Sequence, residues 1–234
     1  MIHRLVNVAK ELAPDFEKRA PQWDRTRSYC WENVSQLVDA GIMGMSIPRE
    51  YGGQGASYLD VAMVVEQIAK VCTLTARVVV EGNMGGISAV MGYGTAQQKA
   101  FCAEHVLAGD KPAICITEPE AGSAATEMQT TAHKQGGKYI LNGTKHWITG
   151  GGVSKLHLVF ARVLDEAGSL QGIGGFILFA DPTAEGVPKG FTVVGREHTM
   201  GLCGMPEAEL RFDNIEIDEK WLIKPPSGLK HGFA

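Results

Sequence analysis

The chain has 234 residues, of which 44% are hydrophobic and 21% are charged, and its formal net charge is −4. This composition is typical of a globular protein and excludes disorder or a coiled coil as the dominant state. A mildly acidic balance, with an isoelectric point near 6.0, gives no reason to expect broad attraction to nucleic acid or to an anionic membrane. No run of about 18 apolar residues occurs, so we predict no membrane-spanning segment.

The cysteines and the N-terminus indicate a protein of a reducing compartment. The five cysteines are odd in number and no two form a CxxC pair, which favours neither a disulfide framework nor a zinc site. The first twenty residues include Arg4, Lys10 and Glu17, so they lack the uninterrupted apolar run of a signal peptide. We therefore predict a cytoplasmic protein without a metal site.

The first half of the chain predicts helices. Apolar residues recur at helical spacing from Ile2 to Phe16, and the apolar stretch from Leu74 to Met91 predicts one further helix. The stretches 57–60 and 95–98 have the residues of capping boxes and predict two helix starts. The helix that begins near residue 57 is apolar nearly all round, which predicts a central place in a bundle.

The second half predicts strands. Residues 138–149 have the pattern of a hairpin with a type I′ turn at Asn142-Gly143. Further short strands are predicted at 156–163, 176–179, 191–194 and 210–215. Helices followed by strands predict an α+β fold with two domains, a helical one over residues 1–111 and a β domain over residues 112–220.

Two segments of the β domain have the chemistry of a ligand site. Residues 115–123 lead from a strand into a loop of small residues, whose N–H groups and hydroxyls could bind a flat polar ring or a phosphate. The simpler alternative is a β-turn whose hydroxyls satisfy the local backbone. Trp147 and Thr149 share one side of a strand, and together would suit a flat heterocycle such as a flavin. The alternative is that Trp147 fills the core.

Arg77 is a lone cation within the apolar stretch 74–80. We predict that this stretch is buried, and a buried arginine requires an anionic partner. One candidate is Glu81, four residues further on, in an ordinary helix ion pair, which general base rates favour. The other candidate is an anionic ligand.

Several motifs resemble the acyl-CoA dehydrogenase family. Residues 115–123 are similar to its flavin signature, and the other similar segments are its P-x-x-Y-G-G-x-G loop at 48–55, its K-x-W-I-T-x-G segment at 145–151 and its K-M-G-x-R-G segment at 198–205. The resemblance covers nearly the whole chain. It implies an N-terminal helical bundle, a middle β-barrel domain and a C-terminal four-helix domain that is absent here, with residues 221–234 as the linker towards it.

The resemblance also implies a cofactor, a substrate and an assembly. It implies a flavoprotein whose FAD is bound by Cys115, Ile116, Thr117, Gly122, Ser123, Trp147, Ile148 and Thr149. Ser123 would in addition contact a CoA-thioester substrate. The family is usually tetrameric, so the resemblance implies a homo-oligomer, a homotetramer when the protein is full-length.

Within the family, the desulfinase branch is the most similar. Ala124 stands where most members have Asp, and residues 109–116, 122–125 and 150–157 resemble 3-sulfinopropanoyl-CoA desulfinases. In that branch the usual glutamate base is absent, and Arg77 is the position implied to bind the sulfinate, as a catalytic and substrate-binding residue. The implied reaction yields propanoyl-CoA and sulfite. Two alternatives stay open: an α,β-dehydrogenating enzyme that uses an electron-transfer flavoprotein, and a truncated, non-catalytic remnant of the flavin fold.

Overall fold

The computed structural model describes residues 2–183, 187–225 and 228–229, and the chain divides into two compact units. The first unit comprises Met1–Met91, Lys99–Pro112 and His198–Met205. The second unit comprises Gly92–Gln98, Ala113–Glu197 and Pro206–Ala234. The segment 198–205 therefore belongs with the helices, although it lies between two strands in the chain.

Helices dominate the first unit. The described residues form α1 (Ile2–Thr26), α2 (Trp31–Asp39), α3 (Tyr58–Ala69), α4 (Thr73–Met84), α5 (Gly86–Tyr93) and α6 (Ala96–Leu107). Both predicted capping boxes are formed, at 57–60 before α3 and at 95–98 before α6. None of these helices combines the length and the apolar character that crossing a membrane requires.

Two predictions for the helices are wrong. The helix expected over 74–91 is interrupted at Gly85, where a Cβ atom would lie 2.9 Å from the Glu81 carbonyl oxygen, so the chain turns there and restarts as α5. Helix α3 is not central, because it buries only Val61, Val64 and Ile68 while Leu59 is 67% exposed. It packs through one face on α1 and α4, and its other apolar residues remain accessible.

Asn83 connects α4 to the segment that follows α2. Its fully buried amide nitrogen donates to the Ile42 carbonyl at 3.0 Å and to the Val79 carbonyl at 2.9 Å. Its amide oxygen accepts from the Ser46 N–H at 3.1 Å. One side chain thus satisfies buried backbone groups of an irregular segment, which would otherwise be costly to desolvate.

The second unit is built on one mixed sheet. Its strands are β1 (Ala113–Cys115), β2 (Thr131–Gln135), β3 (Lys138–Thr149), β4 (Leu156–Leu164), β5 (Leu170–Phe179), β6 (Phe191–Arg196), β7 (Glu207–Asp218) and β8 (Leu222–Ile223). The strand order is β6-β7-β3-β2-β4-β5-β8, with β1 also paired to β4. Strands β1 and β2 run parallel to β4, and the other pairs are antiparallel. Among the described strands the order does not close on itself, so the sheet is open rather than the closed barrel that was expected.

The hairpin predicted within 138–149 is wrong. These residues form one continuous strand, β3, which pairs with β7 from Lys138 opposite Asp218 to Thr149 opposite Glu207. The chain runs on through Gly143, and the register with β7 shifts there by one extra residue of β7. A Cβ atom at Gly143 would lie 2.7 Å from the Thr130 Cα atom, so the glycine allows the close approach of that neighbouring backbone.

The predicted linker over 221–234 begins inside the sheet. Leu222–Ile223 form β8 and pair with β5. Residues 226–227 and 230–234 of that range lie outside the described residues.

We predict that Asn83→Ala lowers the free energy of unfolding by about 2 kcal/mol or more, because it leaves the Ser46 amide without its partner and removes the shorter of two hydrogen bonds to the Ile42 carbonyl. Denaturant unfolding followed by circular dichroism measures this. Ser88→Ala is the matched control, since the Ser88 hydroxyl only bonds back to the preceding turn at Met84 and Gly85. Equal losses in the two variants would contradict the role assigned to Asn83.

Candidate functional site

The two segments predicted to bind a ligand lie side by side in the second unit. The peptide N–H of His146 donates to the Thr117 carbonyl at 2.9 Å. The Lys145 ammonium donates to the Ile116 carbonyl, also at 2.9 Å. The loop that follows β1 is therefore bound along the last third of β3.

A buried ion pair fixes this arrangement. Lys145 Nζ lies 2.8 Å from Glu118 Oε1, and the two side chains are 0% and 6% exposed. The same carboxylate accepts the N–H of Gln129 at 2.6 Å and the N–H of Thr130 at 3.0 Å. Glu118 therefore joins the start of the loop, its end and β3 through one group.

The pKa directions follow from these contacts. Burial by itself would raise the pKa of Glu118, but the hydrogen bonds from Gln129 and Lys145, with those from Thr130, outweigh it and lower that pKa. Burial lowers the pKa of Lys145, and the neighbouring carboxylate offsets part of that effect. Near neutral pH the pair is charged, and each partner depends on the other for compensation.

The tip of the loop offers polar groups to solvent. Glu118 and Ala121 exchange backbone hydrogen bonds of 3.1 and 3.2 Å, which close a tight turn. Gly122 and Ser123 follow it, both are exposed, and no atom lies within 4 Å of a Cβ built at Gly122. The hydroxyls of Thr117 and Ser123 bond to no described residue. These groups are therefore available for hydrogen bonds to a ligand.

Trp147 lies in a β-bulge. Lys145 pairs with Leu210 and Ile148 with Ala208, so two residues of β3 lie opposite one residue of β7. Trp147 has a φ of +57°, which costs a bulky residue about 1–3 kcal/mol. The residue is 53% exposed, so the alternative that Trp147 fills the core is wrong.

Two of the predicted site residues are buried in the sheet. Cys115 is 0% exposed and Ile148 is 1% exposed, and both belong to its hydrophobic core. They can offer a ligand main-chain groups only. Thr149 is half-buried, and its hydroxyl donates to the Glu207 carboxylate, whose two oxygens are both 2.9 Å away.

Arg77 belongs to the first unit. Its Nη2 atom lies 2.7 Å from Glu81 Oε1, which is the ion pair predicted from the spacing. The expected burial is only partial, because the Arg77 side chain is 42% exposed whereas that of Glu81 is 9% exposed. The Arg77 Nε atom is buried and has no hydrogen-bond partner among the described residues.

The residues that sequence reasoning missed are mostly the charged partners. Glu118 and Lys145 stand 27 positions apart, and each has polar neighbours such as Glu120 and His146, so no local pattern pairs them. Glu197 and Glu207 likewise meet His146 and Thr149 only through contacts between distant residues of the sheet. Within the described residues, no three His, Cys, Asp or Glu side chains are arranged to hold a metal ion.

Known protein families match both halves of the chain. The acyl-CoA dehydrogenase N-terminal domain matches residues 5–110, and the acyl-CoA dehydrogenase middle domain matches residues 113–215. The 3-sulfinopropanoyl-CoA desulfinase of Variovorax paradoxus is 53% identical over 227 residues, which are 97% of this chain and 56% of that protein. The chain thus spans little more than half the length of this relative.

Solved structures share the fold. One, reported as the electron transferring flavoprotein of Acidaminococcus fermentans, is 31% identical with a TM-score of 0.86, over 98% of this chain and 59% of that one. Butyryl-CoA dehydrogenase from Megasphaera elsdenii is 27% identical with a TM-score of 0.86, over 99% of this chain and 60% of that one.

We predict that Glu118→Gln lowers the free energy of unfolding at pH 7 by about 3–5 kcal/mol, because Lys145 keeps a buried charge without its counter-ion. Denaturant unfolding measures the loss. The folded-state pKa of Glu118 is lowered, so its contribution is present above the unfolded value of about 4.3 and is lost as the pH falls through the folded value. The difference between wild type and variant should therefore shrink in acid below about pH 4.

The exposed pair Lys138–Glu216, in the same sheet, provides the control. Its side chains are 58% and 61% exposed, so Glu216→Gln should cost at most about 1 kcal/mol. A comparable loss in both variants, or a Glu118→Gln loss that persists unchanged at low pH, would contradict the importance of the buried pair.

Proposed function

The chain belongs to the acyl-CoA dehydrogenase family through its N-terminal and middle domains, and on that premise we propose that it binds FAD and desulfinates 3-sulfinopropanoyl-CoA. The observation that carries the flavin proposal is the junction of the 115–123 loop with the Trp147 bulge. The substrate proposal is supported by the 53% identity to the desulfinase, against 27% to the butyryl-CoA dehydrogenase.

The residues present fit a flavin. Gly122 leaves open space, and the hydroxyls of Thr117 and Ser123 have no partner among the described residues, so polar edges of a ligand could bind there. The exposed indole of Trp147 provides a flat surface against which an aromatic ring system can pack. Bound FAD supplies an electron-accepting ring system, and the protein supplies binding, orientation and electrostatics.

The proposed reaction is balanced by water alone. The C–S bond of the substrate breaks and a C–H bond forms at the same carbon, while sulfur leaves as sulfite carrying the oxygen of water. No external electron acceptor is needed. Arg77 would bind the sulfinate oxygens through its half-exposed guanidinium and stabilise negative charge on the leaving group. Glu81 would hold the guanidinium in place through Nη2.

Dehydrogenation is the alternative outcome, and it differs in its electron balance. It removes two electrons from the acyl chain and therefore needs an acceptor such as an electron-transfer flavoprotein. The complete protein, loaded with FAD, is incubated with 3-sulfinopropanoyl-CoA without an acceptor, and sulfite is assayed. Sulfite release supports desulfination, whereas turnover only when an artificial acceptor is added would overturn it. Absence of flavin binding would instead favour a non-catalytic remnant.

We predict that Trp147→Ala raises the dissociation constant of FAD about tenfold or more, because a flat contact surface is lost. Thr117→Ala should raise it about two- to tenfold through loss of one hydrogen bond. Fluorescence titration with FAD measures both, and circular dichroism checks folding. Phe179→Ala and Thr192→Ala replace an exposed aromatic residue and an exposed threonine elsewhere in the sheet, and they should leave the constant unchanged. Unchanged binding in both site variants would contradict the flavin assignment.

We predict that Arg77→Ala lowers kcat/KM for desulfination by about ten- to several-hundred-fold, because the sulfinate loses a charge-assisted partner. Arg77→Lys should restore little, since a point charge cannot reproduce the planar guanidinium. Steady-state kinetics of the complete protein and thermal melts are measured together.

Glu81→Ala separates the two roles of Arg77. If Arg77 serves only the ion pair, Arg77→Ala and Glu81→Ala should lower stability and activity in parallel. If Arg77 binds the substrate, Glu81→Ala should lose much less activity than Arg77→Ala, because the guanidinium is still present although less firmly held. Near-normal turnover of Arg77→Ala would exclude the substrate role.

A further inference from the structure

Trp147 combines a large exposed side chain with a backbone conformation that is unfavourable for a bulky residue. Its φ of +57° lies in the left-handed region, which bulky residues rarely adopt. Such a conformation persists only where the surroundings hold it. The structure must therefore contain groups that fix this bulge and the indole on it.

His146 is one such group. Its imidazole stacks on the Trp147 indole, with ring centroids 5.1 Å apart and the planes inclined by 17°. Its backbone N–H is bound to the Thr117 carbonyl at 2.9 Å, so the residue is also anchored to the 115–123 loop. One side of the indole thus faces another ring, while 53% of the tryptophan stays exposed.

Glu197 fixes the imidazole in turn. The Nε2–H of His146 donates to Glu197 Oε1 at 2.9 Å, and the two side chains are 20% and 39% exposed. The backbone N–H of Glu197 donates to the Glu207 carbonyl at 2.7 Å, which joins the end of β6 to β7. The backbone that carries the Glu197 carboxylate is therefore fixed by a hydrogen bond, and the carboxylate limits the rotation of the His146 imidazole.

We propose that the His146–Glu197 pair positions Trp147 for binding a flat aromatic ligand, the flavin of the proposed function on which this inference rests. His146 and Glu197 are positioning residues, because they act through the indole. A pre-oriented aromatic surface loses less conformational freedom on binding and therefore binds more tightly. The pair performs no bond-making or bond-breaking step.

Four variants test the proposal: His146→Ala, Glu197→Ala, and each of these combined with Trp147→Ala. Each positioning variant alone should raise the dissociation constant of FAD about two- to tenfold, as expected for loss of an aromatic contact. In the Trp147→Ala background the same substitutions should hardly raise the dissociation constant further, because the indole through which they act is absent. Additive losses in the double variants would overturn the proposal.

A measurement without flavin keeps this inference separate from the proposed function. Acrylamide quenching of Trp147 emission, taken as the difference from Trp147→Phe, should increase in both His146→Ala and Glu197→Ala. Glu216→Ala, which breaks the exposed pair with Lys138, should leave the quenching unchanged. Failure of the wild type to bind FAD would refute the proposed function alone. Unchanged quenching in both positioning variants would refute the pair's role whether or not FAD binds.

Discussion

The candidate site depends on one buried charge pair, Lys145 with Glu118. A lysine that is fully shielded from water must have its charge compensated, and Glu118 does so here, which holds the loop after β1 against β3. The carboxylate then uses its remaining acceptor capacity on the amides of Gln129 and Thr130, at the far end of the same loop. The exposed loop tip, with Gly122 and Ser123, lies between these contacts and is therefore held in a fixed position on the sheet.

The same constraint explains the division of roles along β3. Lys145 and Ile148 both face the interior, although strict alternation would send them to opposite sides, and the bulge between them resolves the conflict. The cost is a strained Trp147, and the gain is an indole outside the core beside the polar loop. A site of this kind needs a rigid sheet beneath it, which the packed interior around Cys115 and Ile148 provides.

The features that sequence patterns predicted correctly are those formed by residues close together in the chain. The capping boxes at 57–60 and 95–98 were predictable because each is settled by two side chains three positions apart. The Arg77–Glu81 pair was predictable for the same reason. Apolar periodicity in the first half and strand patterns in the second predicted the order of helices before strands, and the domain matches bear it out.

The features that could not be predicted from the sequence depend on contacts between segments that are far apart in the chain. Asn142-Gly143 has the residues of a turn, yet Thr130, just before β2, lies so close to Gly143 that the glycine serves the packing of β3 instead. Helix α3 looked central because periodicity does not reveal how many neighbours a helix has. Trp147 could be assigned to the core or to a ligand with equal chemical sense, and only the pairing with β7 decides that its side chain is exposed.

The left-handed backbone at Trp147 makes the residue that is best for folding stability different from the residue that provides an aromatic surface. Glycine or asparagine would adopt this φ with little or no strain, so either would recover folding free energy while removing the aromatic surface. A library of variants selected for heat resistance alone should therefore discard the tryptophan early, and one selected for ligand capture should keep it. On the proposed function, fold stability and ligand binding therefore favour different residues at this position of the bulge.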